Sequence, residues 1–291
     1  MNIDNRLVLP DGRTLAYAKF GKPDGFPVMY FHGAPSSRLE PSILGDDAWR
    51  DLGLRVVAPD RPGMGGSDFQ LNRGFSDWPK DVVSLADSLG WQQFSVMGFS
   101  GGGAYAAVCA AKIPERLRAA VIVSGGWQMN LKDAQDLPIT NRLVWILASR
   151  APFMLPLLLK FMGKAPGTRE QELAQAKKIF PAADYAALEP PGRLEAFGDV
   201  LRESLRQGTK GAAWDMRLYG CEFDFRLDEI RMPLKLFHGV QDANVPVGMV
   251  RRIAGELPKA ELVTYEDDAH ISTLCNHLDE FAAALIPKLQ H

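Results

Sequence analysis

Short apolar runs, each closed by glycine or proline and followed by helical periodicity, recur along most of the chain. Residues 28–31, 55–58, 94–97, 120–123, 234–237 and 261–265 are rich in β-branched, aromatic and other apolar residues and too short for helices. Four of these runs end directly in loop residues: His32-Gly33, Pro59-Asp60, Gly98 and His238-Gly239. Between them, residues 76–89, 101–112, 247–256 and 271–289 repeat apolar positions at helical spacing. Ahead of them, residues 6–9 and 14–20 flank Pro10-Asp11-Gly12, which predicts a hairpin with an Asp-Gly turn. Strands alternating with helices predict βαβ units and a mostly parallel sheet covered on both faces.

The rhythm stops at residue 127 and resumes at 226. Between them lies no convincing strand pattern, only helical patterns interrupted by Pro138, Pro152, Pro156, Pro166, Pro181 and Pro190-Pro191. The predicted organisation is an α/β core in two halves, residues 1–126 and 226–291. An α-helical cap, residues 127–225, is inserted between the sixth and seventh strands, counting the hairpin as two.

Composition narrows the class. The chain has 291 residues, 46% of them hydrophobic, enough to bury a substantial core and too many for a disordered chain. Its 33 basic and 35 acidic residues leave a formal charge of -2 with no basic patch, which argues against a nucleic-acid partner. Cys109, Cys221 and Cys275 are odd in number and form no CxxC, so neither a disulfide framework nor a metal or redox motif is expected. No HExxH occurs. The first residues carry no apolar signal-peptide core, and the greasiest stretch, residues 144–162, is broken by Arg150, Pro152, Pro156 and Lys160. A spanning helix needs roughly 20 apolar residues. The expectation is a cytoplasmic protein, monomer or homodimer, without membrane span, metal or organic cofactor.

The strongest chemical signal is Gly98-Phe99-Ser100-Gly101-Gly102, a G-x-S-x-G with a strand running in and an alanine-rich helix running out. So sharp a turn needs neighbours without Cβ and leaves the serine exposed at the carboxyl end of the sheet. A phosphate-binding turn is the bland alternative, but both GxGxxG and the GxxxxGK[ST] loop are absent. A serine needs a base. Of five histidines, His291 is terminal, His277 sits within a helical pattern, and His32 and His238 stand at strand ends where either could cap a loop. His270 follows the last strand by a short acidic loop, which can swing its imidazole over the sheet edge. Asp242, just after the strand at 234–237, is the expected acceptor for the second ring nitrogen. Its rivals Asp267 and Asp268 share the histidine's own loop and are expected to solvate it or pair with a nearby base. Acyl transfer also needs two backbone N–H donors for the developing oxyanion, and Gly101 with Ala34 would supply them, since Pro35 has no N–H. Asp60 and Arg61 read as structural, satisfying backbone groups and each other. Arg38 reads as a surface ion pair, or else a contact for a substrate carboxylate.

These pieces together resemble the α/β-hydrolase superfamily over nearly the whole chain. Residues Phe31-His32-Gly33-Ala34-Pro35 look like its oxyanion loop, and Asp60 to Asp68 like its D-x-x-G-x-G-x-S loop. The elbow around Ser100, the acid loop from His238 to Pro246, and Ala269-His270 follow in the family's order. The resemblance implies an eight-stranded sheet and a lid between strands six and seven. A serine at the elbow disfavours the family's epoxide- and halide-directed members, which carry aspartate there, and the dienelactone-type members, which carry cysteine. Gly101 after the serine departs from proline iminopeptidase-like members, which carry tryptophan. The expected activity is Ser-His-Asp hydrolysis of a carboxylic ester or related small acyl substrate with an apolar portion. The alternatives are an iminopeptidase-like or carbon–carbon hydrolase and, in a different class, a non-turnover ligand receptor. His32, Phe99, Trp127, Phe153 and Leu157 are expected to line the pocket, since a cap over such a site offers apolar walls.

Overall fold

The computed structural model describes residues 1–128, 135, 137–162 and 169–287. Met129, the end of the last helical pattern at Leu289, and His291 lie outside them. Eight strands form one sheet: β1 (Asn2–Val8), β2 (Thr14–Gly21), β3 (Phe26–Phe31), β4 (Leu54–Pro59), β5 (Phe94–Phe99), β6 (Leu117–Val123), β7 (Leu234–Gly239) and β8 (Ala260–Tyr265). Their order is β1-β2-β4-β3-β5-β6-β7-β8. The expected hairpin joins β1 to β2, and β2 also meets β4 antiparallel; every later pairing is parallel.

Alternation explains why the central strands are apolar throughout. On β3, Met29 and Phe31 enter one core and Val28 and Tyr30 the other, so the strand is buried on both faces. Each such side chain contributes ~1.5–3 kcal/mol by leaving water. Helices α2 (Trp78–Ser88), α3 (Gly102–Lys112) and α10 (Val247–Glu256) cover the first face; α1 (Asp46–Asp51), α11 (His270–Asn276) and α12 (Leu278–Leu285) cover the second.

The final helical pattern is two helices rather than one, broken at His277. That ring stacks on Tyr265 with centroids 3.5 Å apart, and its Nε2 meets Asp268 at 2.5 Å. These tertiary contacts hold His277 at φ −127°, outside the helical range, and local periodicity cannot register them.

Between β6 and β7 the described residues contain no strand. They form α4 (Ile139–Arg150), α5 (Leu155–Met162), α6 (Arg169–Ile179), α7 (Ala182–Leu188), α8 (Arg193–Ser204) and α9 (Lys210–Tyr219). These helices build two small apolar clusters. One joins Ala148, Leu155, Leu159 and Ala212 to Met64, and the other joins Ala176, Leu188, Leu194 and Val200 to Ile43 and Ile271. Among the described residues no single helix is long and apolar enough to cross a membrane.

Candidate active site

The carboxyl ends of β3, β4, β5, β7 and β8 carry every loop that the sequence singled out, at the edge where open α/β sheets place their ligands. Ser100 leaves β5 at φ +51°, a left-handed conformation rare for any residue with a Cβ. The two flanking glycines are required. A Cβ on Gly98 would overlap the Gly102 carbonyl, and one on Gly102 would overlap the Phe31 carbonyl of the neighbouring strand. Ser100 N–H is held by Val123 O at 3.0 Å, and Ser100 O accepts from Gly103 N–H at 2.9 Å and Gly126 N–H at 2.7 Å. The strain is thus offset by backbone bonds on both sides.

Asp242 and His270 are brought together across the ends of β7 and β8. Asp242 Oδ2 accepts from His270 Nδ1 at 2.7 Å, while its Oδ1 takes the N–H groups of Asn244 and Val245, both at 2.8 Å. Burial pushes this carboxyl up, yet His270 and these N–H bonds hold it below the ordinary aspartate value. Burial likewise pushes His270 down, and the Asp242 charge and hydrogen bond overcome it, so its pKa is raised. With Nδ1 engaged, Nε2 is the nitrogen left to take a proton. The imidazole lies against the Phe99 ring, centroids 5.1 Å apart, one residue before Ser100. Among the described residues no hydrogen bond joins Ser100 Oγ to His270; such bonds are commonly long until substrate binds.

The oxyanion candidates are adjacent. A Cβ on Gly101 would lie 2.7 Å from Ala34 Cβ and 3.0 Å from Ala34 N, and one on Gly33 would lie 3.2 Å from Ser100 Cβ. Neither the Ala34 nor the Gly101 N–H donates to an acceptor among the described residues. Under this loop sits Glu40, fully buried, which takes Gly33 N–H at 3.0 Å, Ser36 Oγ at 2.6 Å and Tyr30 OH at 2.9 Å. Burial raises its pKa to about 7, against those hydrogen bonds. Sequence reasoning passed over Glu40, because Leu39-Glu40-Pro41 carries no motif.

Several expected roles are corrected. His32 lines no pocket: it is fully buried, with Nδ1 at Gly33 O (2.8 Å) and Nε2 accepting Arg61 N–H (3.2 Å), and burial with the Arg61 charge holds it neutral. His238 bonds Val245 O at 2.9 Å and so braces the acid loop. Trp127 is buried in the core and borders a different depression, with Phe223 and Phe225. Phe153, in the turn before α5, is 79% exposed, and Leu157 is 57% exposed, because α5 turns Leu155 and Leu159 inward instead. Among the described residues, Phe99 is the one of the five whose ring lies against the candidate base. Arg38 is no surface pair. It is buried, with Nη1 2.7 Å from Asp60 and 2.5 Å from Glu203. Arg61 pairs not with Asp60 but with Asp215 of α9, at 2.9 Å. Asp268 pairs with His277, as its loop position suggests.

The insertion also reaches the site. Asp184 of α7 accepts the N–H groups of Ile271 and Ser272 at 2.7 and 2.8 Å, fastening the start of α11, where His270 stands. Tyr219 of α9 donates its hydroxyl to Gly101 O. Among the described residues no cluster of three or more His, Cys, Asp or Glu side chains is placed to hold a metal ion.

Known proteins resemble this chain in sequence and in fold. The 2-hydroxymuconate semialdehyde hydrolase of Pseudomonas putida is 27% identical over 265 residues, covering 89% of this chain and 85% of its own. The non-heme chloroperoxidase of Streptomyces lividans is 29% identical over 280 residues, covering 89% and 90%. A carboxylesterase structure from Nitrososphaera gargenis superposes with a TM-score of 0.68 at 17% identity, covering 96% of each chain, which shows a shared fold. A family model described as alpha/beta hydrolase fold matches residues 27–275. The chain therefore belongs to the alpha/beta hydrolase family and is an enzyme of that family.

Proposed function

We propose that the protein is a serine hydrolase of carboxylic esters or related small acyl compounds. The observation that carries this reading is the Asp242–His270 hydrogen bond of 2.7 Å, beside a serine at φ +51°. Ser100 Oγ attacks the carbonyl carbon and His270 Nε2 takes its proton, then returns it to the leaving oxygen. Asp242 keeps the ring in the tautomer that leaves Nε2 basic and stabilises the imidazolium. The Ala34 and Gly101 N–H groups receive the oxyanion. Water, activated by the same histidine, then releases the acid from the acyl-enzyme.

The charges around the reacting atoms favour an uncharged, partly apolar substrate. The charges of Asp242, Asp184 and Glu40 act on His270, Phe99 flanks its ring, and the guanidiniums of Arg38 and Arg61 are bound to carboxylates. An anionic substrate would thus meet acidic groups and no free arginine of this set. The test is hydrolysis of p-nitrophenyl esters from acetate to decanoate by wild type and Ser100→Ala. Turnover that falls by on the order of 10⁴–10⁶ in the variant supports the reading. Wild-type turnover retained by Ser100→Ala removes Ser100 as nucleophile. No ester turnover by either protein moves the reading to peptide or carbon–carbon substrates or to a receptor.

A further inference from the structure

The two backbone donors proposed for the oxyanion are held from behind in different ways. A peptide N–H shares its plane with the carbonyl of the preceding residue. Whatever grips that carbonyl therefore aims the N–H. For Gly101 the carbonyl is Ser100 O, gripped by two backbone N–H groups, those of Gly103 and Gly126. For Ala34 it is Gly33 O, and the grip is a side chain. Arg61 Nη2 donates to Gly33 O at 2.6 Å, and Nη1 donates to His32 O one peptide earlier. Two consecutive peptide planes of the loop, the second carrying the Ala34 N–H, are thus pinned by one guanidinium.

That guanidinium is itself anchored by the insertion. Its Nε and Nη2 donate to Asp215 of α9 at 3.1 and 2.9 Å, and Arg73 Nη2 and Tyr105 OH bind the same carboxylate. All four side chains are buried. Burial pushes Asp215 up, but the two guanidiniums hold it at about 2. Two arginines against one carboxylate leave a net positive charge among buried side chains. Such clusters are expensive and rarely justified by stability alone. A cation bonded to an amide carbonyl also polarises that amide, strengthening its N–H as a donor. The charge sits on the far side of the peptide where negative charge would develop.

We propose that Arg61, held by Asp215, is a positioning residue for the Ala34 oxyanion donor, so that helix α9 of the insertion sets how strongly the oxyanion is bound. This inference rests on Ser100 being the nucleophile of an acyl transfer. His32 Nδ1 is the other ring group at Gly33 O, and Glu40 pins Gly33 N–H from the opposite edge. Among the described residues neither of them is hydrogen-bonded to the insertion.

The test uses the full chain and a p-nitrophenyl ester whose turnover depends on Ser100. Variants Arg61→Lys, Asp215→Asn and Arg73→Lys are compared for kcat, KM and inhibition by a matched pair of ketones. The trifluoromethyl ketone forms an anionic adduct with a serine; the methyl ketone of the same chain binds uncharged. Lysine's ammonium is a compact point charge without the planar fork that holds both carbonyls and Asp215 at once. Arg61→Lys is expected to lower kcat about 10- to 100-fold, somewhat less than outright loss of a donor. KM and methyl-ketone affinity should stay within about threefold, while trifluoromethyl-ketone affinity falls in step with kcat. Asp215→Asn should shift the same quantities in the same direction. Arg73→Lys, which touches Asp215 but neither loop carbonyl, should shift them least. Equal losses for both ketones would mean a merely structural role and overturn the proposal, as would an unchanged kcat in folded Arg61→Lys. If Arg61→Lys does not fold, Asp215→Glu carries the test, because it keeps the charge and displaces the anchor; wild-type kcat and ketone discrimination there overturn the proposal. The two readings fail separately. Undiminished turnover by Ser100→Ala removes the nucleophile, whereas a dead Ser100→Ala beside a fully active Arg61→Lys removes the brace alone.

Discussion

The sheet core holds its loops by burying whole strands, whereas the helices between β6 and β7 reach the same loops through two small apolar clusters and a few polar side chains. Val28 to Phe31 are all fully buried, and a change to any one of them would be felt as packing. Asp184 instead takes two backbone N–H groups, Asp215 takes two guanidiniums, and Tyr219 gives its hydroxyl to one carbonyl. Packing fixes where β5, β7 and β8 end. It does not fix the direction of an imidazole or a peptide N–H, and that direction is what acyl transfer needs to within a small tolerance. The difference teaches that the core brings the candidate groups together, while the insertion adds hydrogen bonds to the backbone that carries them.

The largest effect should come from the core-held pair. Asp242→Asn is expected to lower kcat on the order of 10⁴-fold, because asparagine favours the wrong imidazole tautomer. The pH profile gives a second readout. Only neutral His270 can take the proton, and its pKa is raised, so wild-type kcat/KM should rise with pH to a half-point above the ordinary 6.5. In Asp242→Asn the charge that raises it is gone while burial, which lowers it, remains, so the half-point should fall. A half-point that does not move would take Asp242 out of contact with the base.

A smaller effect tests the insertion's side of the comparison. Asp184→Ala leaves two buried N–H groups at the start of α11 without their acceptor. Each such group costs ~1–3 kcal/mol. The variant should melt several degrees lower and lose about tenfold in kcat, with little change in KM. Loss of stability with kcat untouched would show that α7 merely packs, and that the core alone orients His270.

The smallest effect is expected where the sequence predicted a pocket wall. Phe153→Ser, in the turn before α5, and Leu157→Ser, on the exposed face of α5, should leave kcat/KM for every ester within about twofold. A shifted chain-length optimum in either variant would bring α5 back into the substrate path.

The elements themselves were legible because their signals are local. Runs of apolar residues closed by glycine, and the Asp-Gly turn at residues 11 and 12, report burial and turn geometry from neighbours in the chain. The elbow was legible for the same reason, since the close approach of β5, α3 and β3 leaves no room for a Cβ at Gly98 or Gly102. Candidate acid and base were found by their positions after strands, and the structure brings them to hydrogen-bond distance. Helical periodicity could not register the break at His277, which depends on stacking against Tyr265 on another element.

Sequence by itself determined the alternation of strands and helices, the serine at a strained turn, and the order Ser100, Asp242, His270, because each depends on residue types within a few positions. Only the tertiary structure decided that Arg61 binds Asp215 rather than its neighbour Asp60, that Arg38 is buried, that Glu40 lies under the oxyanion loop, and that Phe153 faces water. Arg61 and Asp215 are 154 residues apart, and Asp184 and Ile271 are 87 apart. A buried charge takes its partner from whatever the packing brings within about 3 Å, and no local pattern encodes that distance.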